Sequence, residues 1–194
     1  NSAIARSWRD AETAVREAVQ NPGSITEAAR SRFRVAQGFL WAQLPSGRCL
    51  AYGSPRLKDQ VWARMKLADG TWADSEVMDR DSAEAGERRG TVKIEGVTSA
   101  KVTVLGVNAV TKKWERYALY SGVIVENLTQ ATARDILVNG MMKADAAGYE
   151  IIAHVYDEIL TEVPKGFGDV GEFERLICEL PAWAEGLPLT ASGW

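Results

Sequence analysis

The chain is poor in the residues from which metal centres and secreted scaffolds are built. Its 194 residues include one histidine, His154, and two cysteines, Cys49 and Cys178, which lie far apart and in no CxxC or Cys/His cluster. One imidazole and two scattered thiols cannot make a four-ligand zinc site, and they read as buried or incidental thiols rather than a disulfide framework. No apolar run approaches the ~20 residues needed to cross a bilayer, so no membrane role is expected. An excess of positive charge is also missing. The net charge is −3, which argues against a simple basic nucleic-acid binder. There is no internal repeat and no low-complexity linker. The first residue is Asn1 rather than Met, and the opening residues run straight into a helical pattern. A piece of a longer precursor, without a signal peptide, is therefore expected.

What is present is globular. Hydrophobic residues make up 46% of the chain and charged residues 25%, enough for one domain with a real core. Charge is unevenly spread. Residues 1–66 hold eleven Lys/Arg against five Asp/Glu, and residues 150–194 hold two against nine. A basic first third and an acidic end suit a protein that holds a polyanion in one place and cations in another; random surface charge on an acidic protein gives the same pattern.

Periodicity supplies the elements. Ile4, Trp8, Ala11, Val15 and Ala18 recur at helical spacing, and Asn21-Pro22-Gly23 stops that helix. From Arg30 to Tyr52 short strands are predicted, with Arg30, Arg32 and Arg34 alternating with Ser31, Phe33 and Val35. Leu44-Pro45-Ser46-Gly47-Arg48 forms a tight turn before Cys49-Leu50-Ala51-Tyr52. Asp69-Gly70 marks a hairpin. Residues 74–89 read as a polar, exposed loop, and Thr91–Ile94 and Lys101–Leu105 as further strands. A short helix is predicted from Asn108 to Tyr120 and a longer one from about Val123 to Ala147, ended by Gly148. Two strands, 149–156 and 159–163, follow with almost nothing but Asp157-Glu158 between them. Gly171 to Leu180 is a last helix, and Pro181 to Trp194 a tail that packs down on the domain.

Three features carry chemistry. Tyr156-Asp157-Glu158 joins two apolar strands, yet adjacent carboxylates repel each other and lack the turn chemistry of Asn-Gly or Asp-Gly. The turn is either a solvated acidic loop or a seat for hard divalent cations, which prefer oxygen ligands and serve phosphoryl transfer in pairs. Along the helix after Gly122, Asn127, Gln130 and Arg134 fall on one face at i, i+3 and i+7. That stripe is either the wet face of an amphipathic helix or a set of groups for minor-groove acceptors and phosphates. Arg48 and the Arg30/Arg32/Arg34 row either track a phosphate backbone or line an exposed sheet face.

In order along the chain, these segments resemble the family A DNA polymerases, the bacterial polymerase I type, in their phage branch. Trp8-Arg9-Asp10-Ala11-Glu12 resembles the helix after the fingers. Leu44-Pro45-Ser46-Gly47-Arg48 with Leu50-Ala51-Tyr52 resembles the palm strands that follow. Tyr120-Ser121-Gly122, Glu126-Asn127-Leu128-Thr129-Gln130-Ala131 and Ala133-Arg134-Asp135 resemble the palm helix along the primer-template minor groove. His154-Val155-Tyr156-Asp157-Glu158 resembles the last catalytic motif. Pro181-Ala182-Trp183-Ala184, Gly186-Leu187-Pro188 and Gly193-Trp194 resemble the phage-branch C-terminus. The resemblance covers nearly the whole chain and is weakest over 57–107.

The resemblance implies an α+β fold, an antiparallel palm sheet packed on helices, spanning 1–194 with a small β-rich insertion at 57–107. It implies that Asp157 is a catalytic carboxylate on two magnesium ions, that Glu158 is the adjacent supporting acid, and that Gln130, Asn127, Arg134, Tyr156 and Arg48 contact DNA. Two positions depart from the family. Tyr156 stands where the family usually has His, and Asn127 is one position off the usual Asn. The earlier metal-binding Asp motif and the fingers helix with its Arg, Lys and Tyr are not found in the sequence. A partner chain carrying that Asp, the fingers and the thumb is therefore implied, with shared magnesium ions, primer-template DNA, a deoxynucleoside triphosphate and a cytoplasmic location, that of a bacterial host if phage-encoded. The alternative is a non-catalytic DNA-binding or assembly subunit that keeps the palm fold; an unrelated acidic α+β domain is the third reading.

Overall fold

A computed structural model describes residues 2–108 and 111–194. The fold is mixed α+β, with an antiparallel sheet packed against helices. The chain divides into two compact units, one of residues 1–42 and 49–125, the other of residues 43–48 and 126–194.

The first unit begins with α1 (Ser2–Gln20). Its buried stripe is Ala11, Ala14, Val15 and Ala18, while Ile4 and Trp8 stay exposed. Small residues let the helix approach the sheet closely, and the Thr26 hydroxyl donates to the Ala14 carbonyl (2.6 Å). The sheet holds β1 (Thr26–Ala28), β2 (Ser31–Ala36), β3 (Phe39–Gln43), β4 (Cys49–Met65), β6 (Val92–Val107) and β7 (Trp114–Ala118) in that spatial order, with β5 (Glu76–Asp79) also on β4. On β2, Ser31 and Phe33 are buried and Arg32 and Arg34 exposed, as alternation predicts; Arg30 precedes the strand with φ +59°. Gly70 turns the chain with φ +86°, its N–H on the Leu67 carbonyl, as Asp69-Gly70 predicts.

Two expectations fail here. Residues 74–89 are not a loop but β5 followed by helix α2 (Arg80–Arg88). The Asp79 carboxylate caps α2 by accepting from Ser82 N–H (3.0 Å), and only Ala83 and Gly86 of the helix are buried. Two small residues against Val61, Ala63 and Val92 give too faint a periodicity to read. Nor do the described residues of 108–120 form a helix. Trp114–Ala118 pairs with β6 in the register Val107↔Trp114 to Thr103↔Ala118, and the Asn108 N–H donates to the Lys113 carbonyl (2.9 Å). The β6 edge offers a ready ladder to a segment rich in β-formers, Trp114 and Tyr117. Residues 109 and 110 of that expected helix lie outside the described residues.

The second unit is organised on α3 (Ser121–Ala146), whose residues from Glu126 onward belong to it. The helix ends as Gly148 predicts. With φ +95° at Gly148, Tyr149 N–H donates to the Ala144 carbonyl (3.0 Å) and Gly148 N–H to that of Asp145 (3.0 Å), a Schellman closure. Next come the hairpin β8 (Glu150–Val155) and β9 (Glu158–Glu162), helix α4 (Val170–Ile177) and a 3-10 turn at Ala182–Ala184. Buried Tyr149 packs on Phe167 and Phe173 with ring centroids 5.2 Å apart, and its hydroxyl donates to Glu172 (2.7 Å). That hydrogen bond, with burial second, raises the phenol above its usual range. The tail is anchored at buried Ala184 and by Gly193 N–H on Glu174 (2.6 Å), while Trp194 is exposed. Among the described residues no helix is long and apolar enough to cross a membrane.

Two predictions follow from α3 and α4. A Cβ at Gly140 would stand 2.7 Å from the Ile177 carbonyl oxygen and 3.1 Å from its Cα, both backbone. Gly140→Ala should therefore cost about 1–2 kcal/mol net of its gain in helix propensity, roughly 2–8 °C in Tm by calorimetry. The Lys143 ammonium, hydrogen-bonded to Glu179 at 2.7 Å, holds that carboxyl below its ordinary range. A depressed carboxylate adds stability above its unfolded value and loses it as pH falls through the folded value. Urea midpoints taken from about pH 7 down to pH 3 should fall less steeply for Glu179→Gln than for the wild type.

Candidate functional site

The site residues that the resemblance implies fall in the second unit: Arg48 in the 43–48 segment, Asn127, Gln130 and Arg134 on α3, and Tyr156, Asp157 and Glu158 at the hairpin; the Arg30/Arg32/Arg34 row lies in the first. Sequence spacing alone joins none of these three segments, and two sets of side-chain contacts do.

The first is at the hairpin. Arg134 lays its guanidinium against the imidazole of His154 on β8, with nitrogen–nitrogen distances of 3.0 and 3.2 Å. A guanidinium carries donors only, so Arg134 donates and a ring nitrogen of His154 accepts. The helix stripe and the acidic turn thereby share one surface. Gln130, one helical turn before Arg134, is exposed and donates to Glu126 (3.1 Å). Asn127 is half-buried.

The turn differs from the expected one. Val155 pairs with Glu158, so the two-residue loop is Tyr156-Asp157, and Glu158 is the first residue of β9 rather than part of the loop. The shift arises because Glu158 can take a ladder position, which a turn residue cannot. Tyr156 then occupies the first loop position with φ +54°, where hairpins of this length place glycine. A bulky side chain there costs on the order of 1–2 kcal/mol, and this one is 92% exposed, so it recovers nothing by packing. Strain of this kind collects at functional positions. Asp157 and Glu158 are both exposed.

The donor set matches a hard divalent cation in kind, since both groups are carboxylates. It does not match in number. Among the described residues no three His, Cys, Asp or Glu side chains converge as a metal cage. Asp157 with Glu158 makes at most part of a coordination shell.

The second contact set fixes the 44–48 turn. The Leu44 N–H donates to the Arg48 carbonyl (2.8 Å), and the Gly47 N–H to that of Leu44 (2.9 Å). Arg48 donates from Nε to Asp135 (2.6 Å) and from a terminal nitrogen to the Ala131 carbonyl (2.8 Å), and the Ser46 hydroxyl donates to the other Asp135 oxygen. Asp135, a residue that the spacing argument left without a role, is thus the anchor of this turn. Residues 131 and 135 share a face at i, i+4, and that spacing beside Arg134 is the signal from which the anchor was readable.

No family model matches the chain, and no solved structure matches it. The chain is 34% identical over 194 residues to the DNA polymerase of Bacillus phage SP02. The match takes in 100% of this chain, which spans 24% of that polymerase's length. The chain is therefore homologous to part of a phage-encoded DNA polymerase.

The Asp135 side chain is much less exposed than that of Arg48, 12% against 45%. Asp135→Ala leaves the Arg48 and Ser46 donors without their acceptor and should cost about 1.5–3 kcal/mol in urea unfolding. Arg48→Ala, at the wetter end, should cost ~1 kcal/mol or less. A double-mutant cycle whose two single losses simply add would mean that the pair does not hold the turn.

Proposed function

We propose that this chain is the C-terminal palm portion of a family A DNA polymerase of the phage branch, and that it carries the last catalytic carboxylate motif for nucleotidyl transfer to a primer 3′ end. The observation that carries the reading is the Arg134–His154 contact, because it makes one surface of a polar helix stripe and a strained acidic turn. Homology to a phage DNA polymerase over the whole chain supports it. The rest of the polymerase, with the first metal-binding Asp, the fingers and the thumb, belongs to a partner chain.

In this mechanism Asp157, at the hairpin tip, would be this chain's ligand to the divalent cations, and Glu158 would add to the negative field from the adjoining ladder position. Bound magnesium would supply charge neutralisation at the attacking and leaving oxygens. Tyr156, outward at the tip, offers a phenol to the primer strand. Gln130 donates to minor-groove acceptors, which occupy similar places in every Watson–Crick pair, and so senses the geometry of the newest base pairs. Arg134 supports the hairpin through His154 and can reach phosphate. Arg48 orders the 44–48 turn on α3, so that its effect on DNA is exerted through that turn. Catalysis by these groups is positioning and electrostatics.

A second reading, a non-catalytic DNA-binding or assembly subunit, draws on the same incomplete carboxylate set. One experiment separates the two. The purified chain should not extend a primer alone, and should do so once the remaining polymerase chain is added. In that complex Asp157→Asn should slow single-turnover extension on the order of a thousandfold or more, with DNA affinity nearly unchanged. Glu158→Gln should be milder. Gln130→Ala should slow matched ends and narrow the gap to mismatched ends by roughly 1–3 kcal/mol. Near-normal turnover by Asp157→Asn would leave the non-catalytic reading standing.

A further inference from the structure

The strands that hold residues 57–107 have one face that neither the core nor the hairpin chemistry uses. Helix α2 covers the other face through Ala83 against Val61, Ala63 and Val92. With Val61 and Ala63 turned to α2, the pleat puts Trp62 and Arg64 on the opposite face, ~7 Å apart along the strand, while Lys58, beyond an irregularity of the ladder, reaches the Asp79 carboxylate that caps α2. The register sets Lys101 across from Lys58, Gly96 across from Trp62, and Lys93 across from Arg64. An isolated bridge adds Trp72 across from Lys66.

Two properties of this face are costly for a free protein. Lys58/Lys101 and Arg64/Lys93 are like charges directly opposite each other on neighbouring strands, a destabilising arrangement. Asp79 offsets Lys58 and Glu95 offsets Arg64 (3.1 Å), but among the described residues Lys66, Lys93 and Lys101 make no ion pair. Two indoles also stand out, Trp62 on β4, 45% exposed, and Trp72 at the isolated bridge beyond its end, 39% exposed. Beside Trp62 the ground is open, since a Cβ at Gly96 would meet nothing within 4 Å.

A partner that relieves both costs is a polyanion that carries flat rings. An acidic peptide answers the cations and leaves the indoles bare. A duplex offers phosphates but keeps its bases stacked inside. We propose that this face of β4, β5 and β6 binds single-stranded nucleic acid, with a base on Trp62 and backbone phosphates along Arg64, Lys66 and Lys93. Exposed aromatics set among cations on a sheet are the ordinary chemistry of sequence-tolerant strand binding. The inference stands apart from the polymerase reading, because none of its residues belongs to the hairpin or the α3 stripe.

The test uses the whole 194-residue chain and a fluorescein-labelled oligo-dT, read by anisotropy across a salt series. Wild type should bind the strand more tightly than a duplex of equal length, with quenching of tryptophan fluorescence. Trp62→Ala should weaken binding roughly tenfold or more. Lys93→Gln, an exposed substitution that leaves the fold intact, should lower affinity and reduce the salt slope by about 0.7. Melting curves check each variant. Equal affinity of wild type, Trp62→Ala and Lys93→Gln would overturn the proposal. So would absence of binding at low salt, or competition by polyglutamate as strong as by unlabelled oligo-dT. Loss confined to Gln130→Ala and Arg134→Ala would put the strand on the hairpin surface instead, ending this inference and leaving the polymerase reading intact.

Discussion

The second unit depends on one helix. Along α3, Ala131 and Asp135 hold the 44–48 turn, Arg134 holds the hairpin at His154, Gly140 admits the end of α4, Lys143 meets Glu179, and Ala144 and Asp145 close the Schellman turn that launches Tyr149. From 126 to 146 that is about 30 Å of rod at the helical rise. Because a helix fixes both the rise and the angle between its residues, each attachment has a set direction, and none can move without a change in α3. Asp135 and Arg134 are one residue apart and so point about 100° away from each other, which is how one helix turn serves both the loop and the hairpin.

The first unit rests on a different kind of constraint. Strands β4 and β6 pair along most of their length, although the chain between them makes β5 and α2. Register shifts at three places bend this ladder, and the shift near Ser54 is tied down by Arg116, which donates to the Ser54 carbonyl (2.8 Å) and hydroxyl (3.1 Å). Long non-local strands are slow to form because loop closure precedes the contacts that reward it. In return they give a broad, rigid face whose side-chain rows are set by the pleat.

Both units keep features that a search for stability alone would discard. Tyr156 sits at positive φ with its ring in solvent, and like charges oppose one another across β4 and β6. The hairpin β8–β9 exposes Ile152, Val155 and Leu160, and a two-stranded sheet is marginal by itself. Such exceptions to local consistency gather where a protein meets something else. In this chain such exceptions include the acidic turn and the outward face of β4.

Local sequence determined a good deal. Gly148 set the end of α3, Asp69-Gly70 set its turn, the Ser31/Phe33 alternation set the faces of β2, and the i, i+3, i+7 spacing brought Gln130 and Arg134 to one side of a helix, because each of these depends only on backbone preference or period. Homology to a phage DNA polymerase was likewise readable in motifs taken in order. Tertiary structure decided the rest. The strand 114–118 exists because β6 offers it a ladder, α2 because two small side chains fit under it, and the loop became Tyr156-Asp157 because Glu158 found a partner in Val155. The union of stripe and turn through Arg134 and His154, and the capture of Arg48 by Asp135, link residues 20 and 87 positions apart. No local period reports a contact across such separations, since it is the packing of distant segments, and not the preference of either one, that creates it.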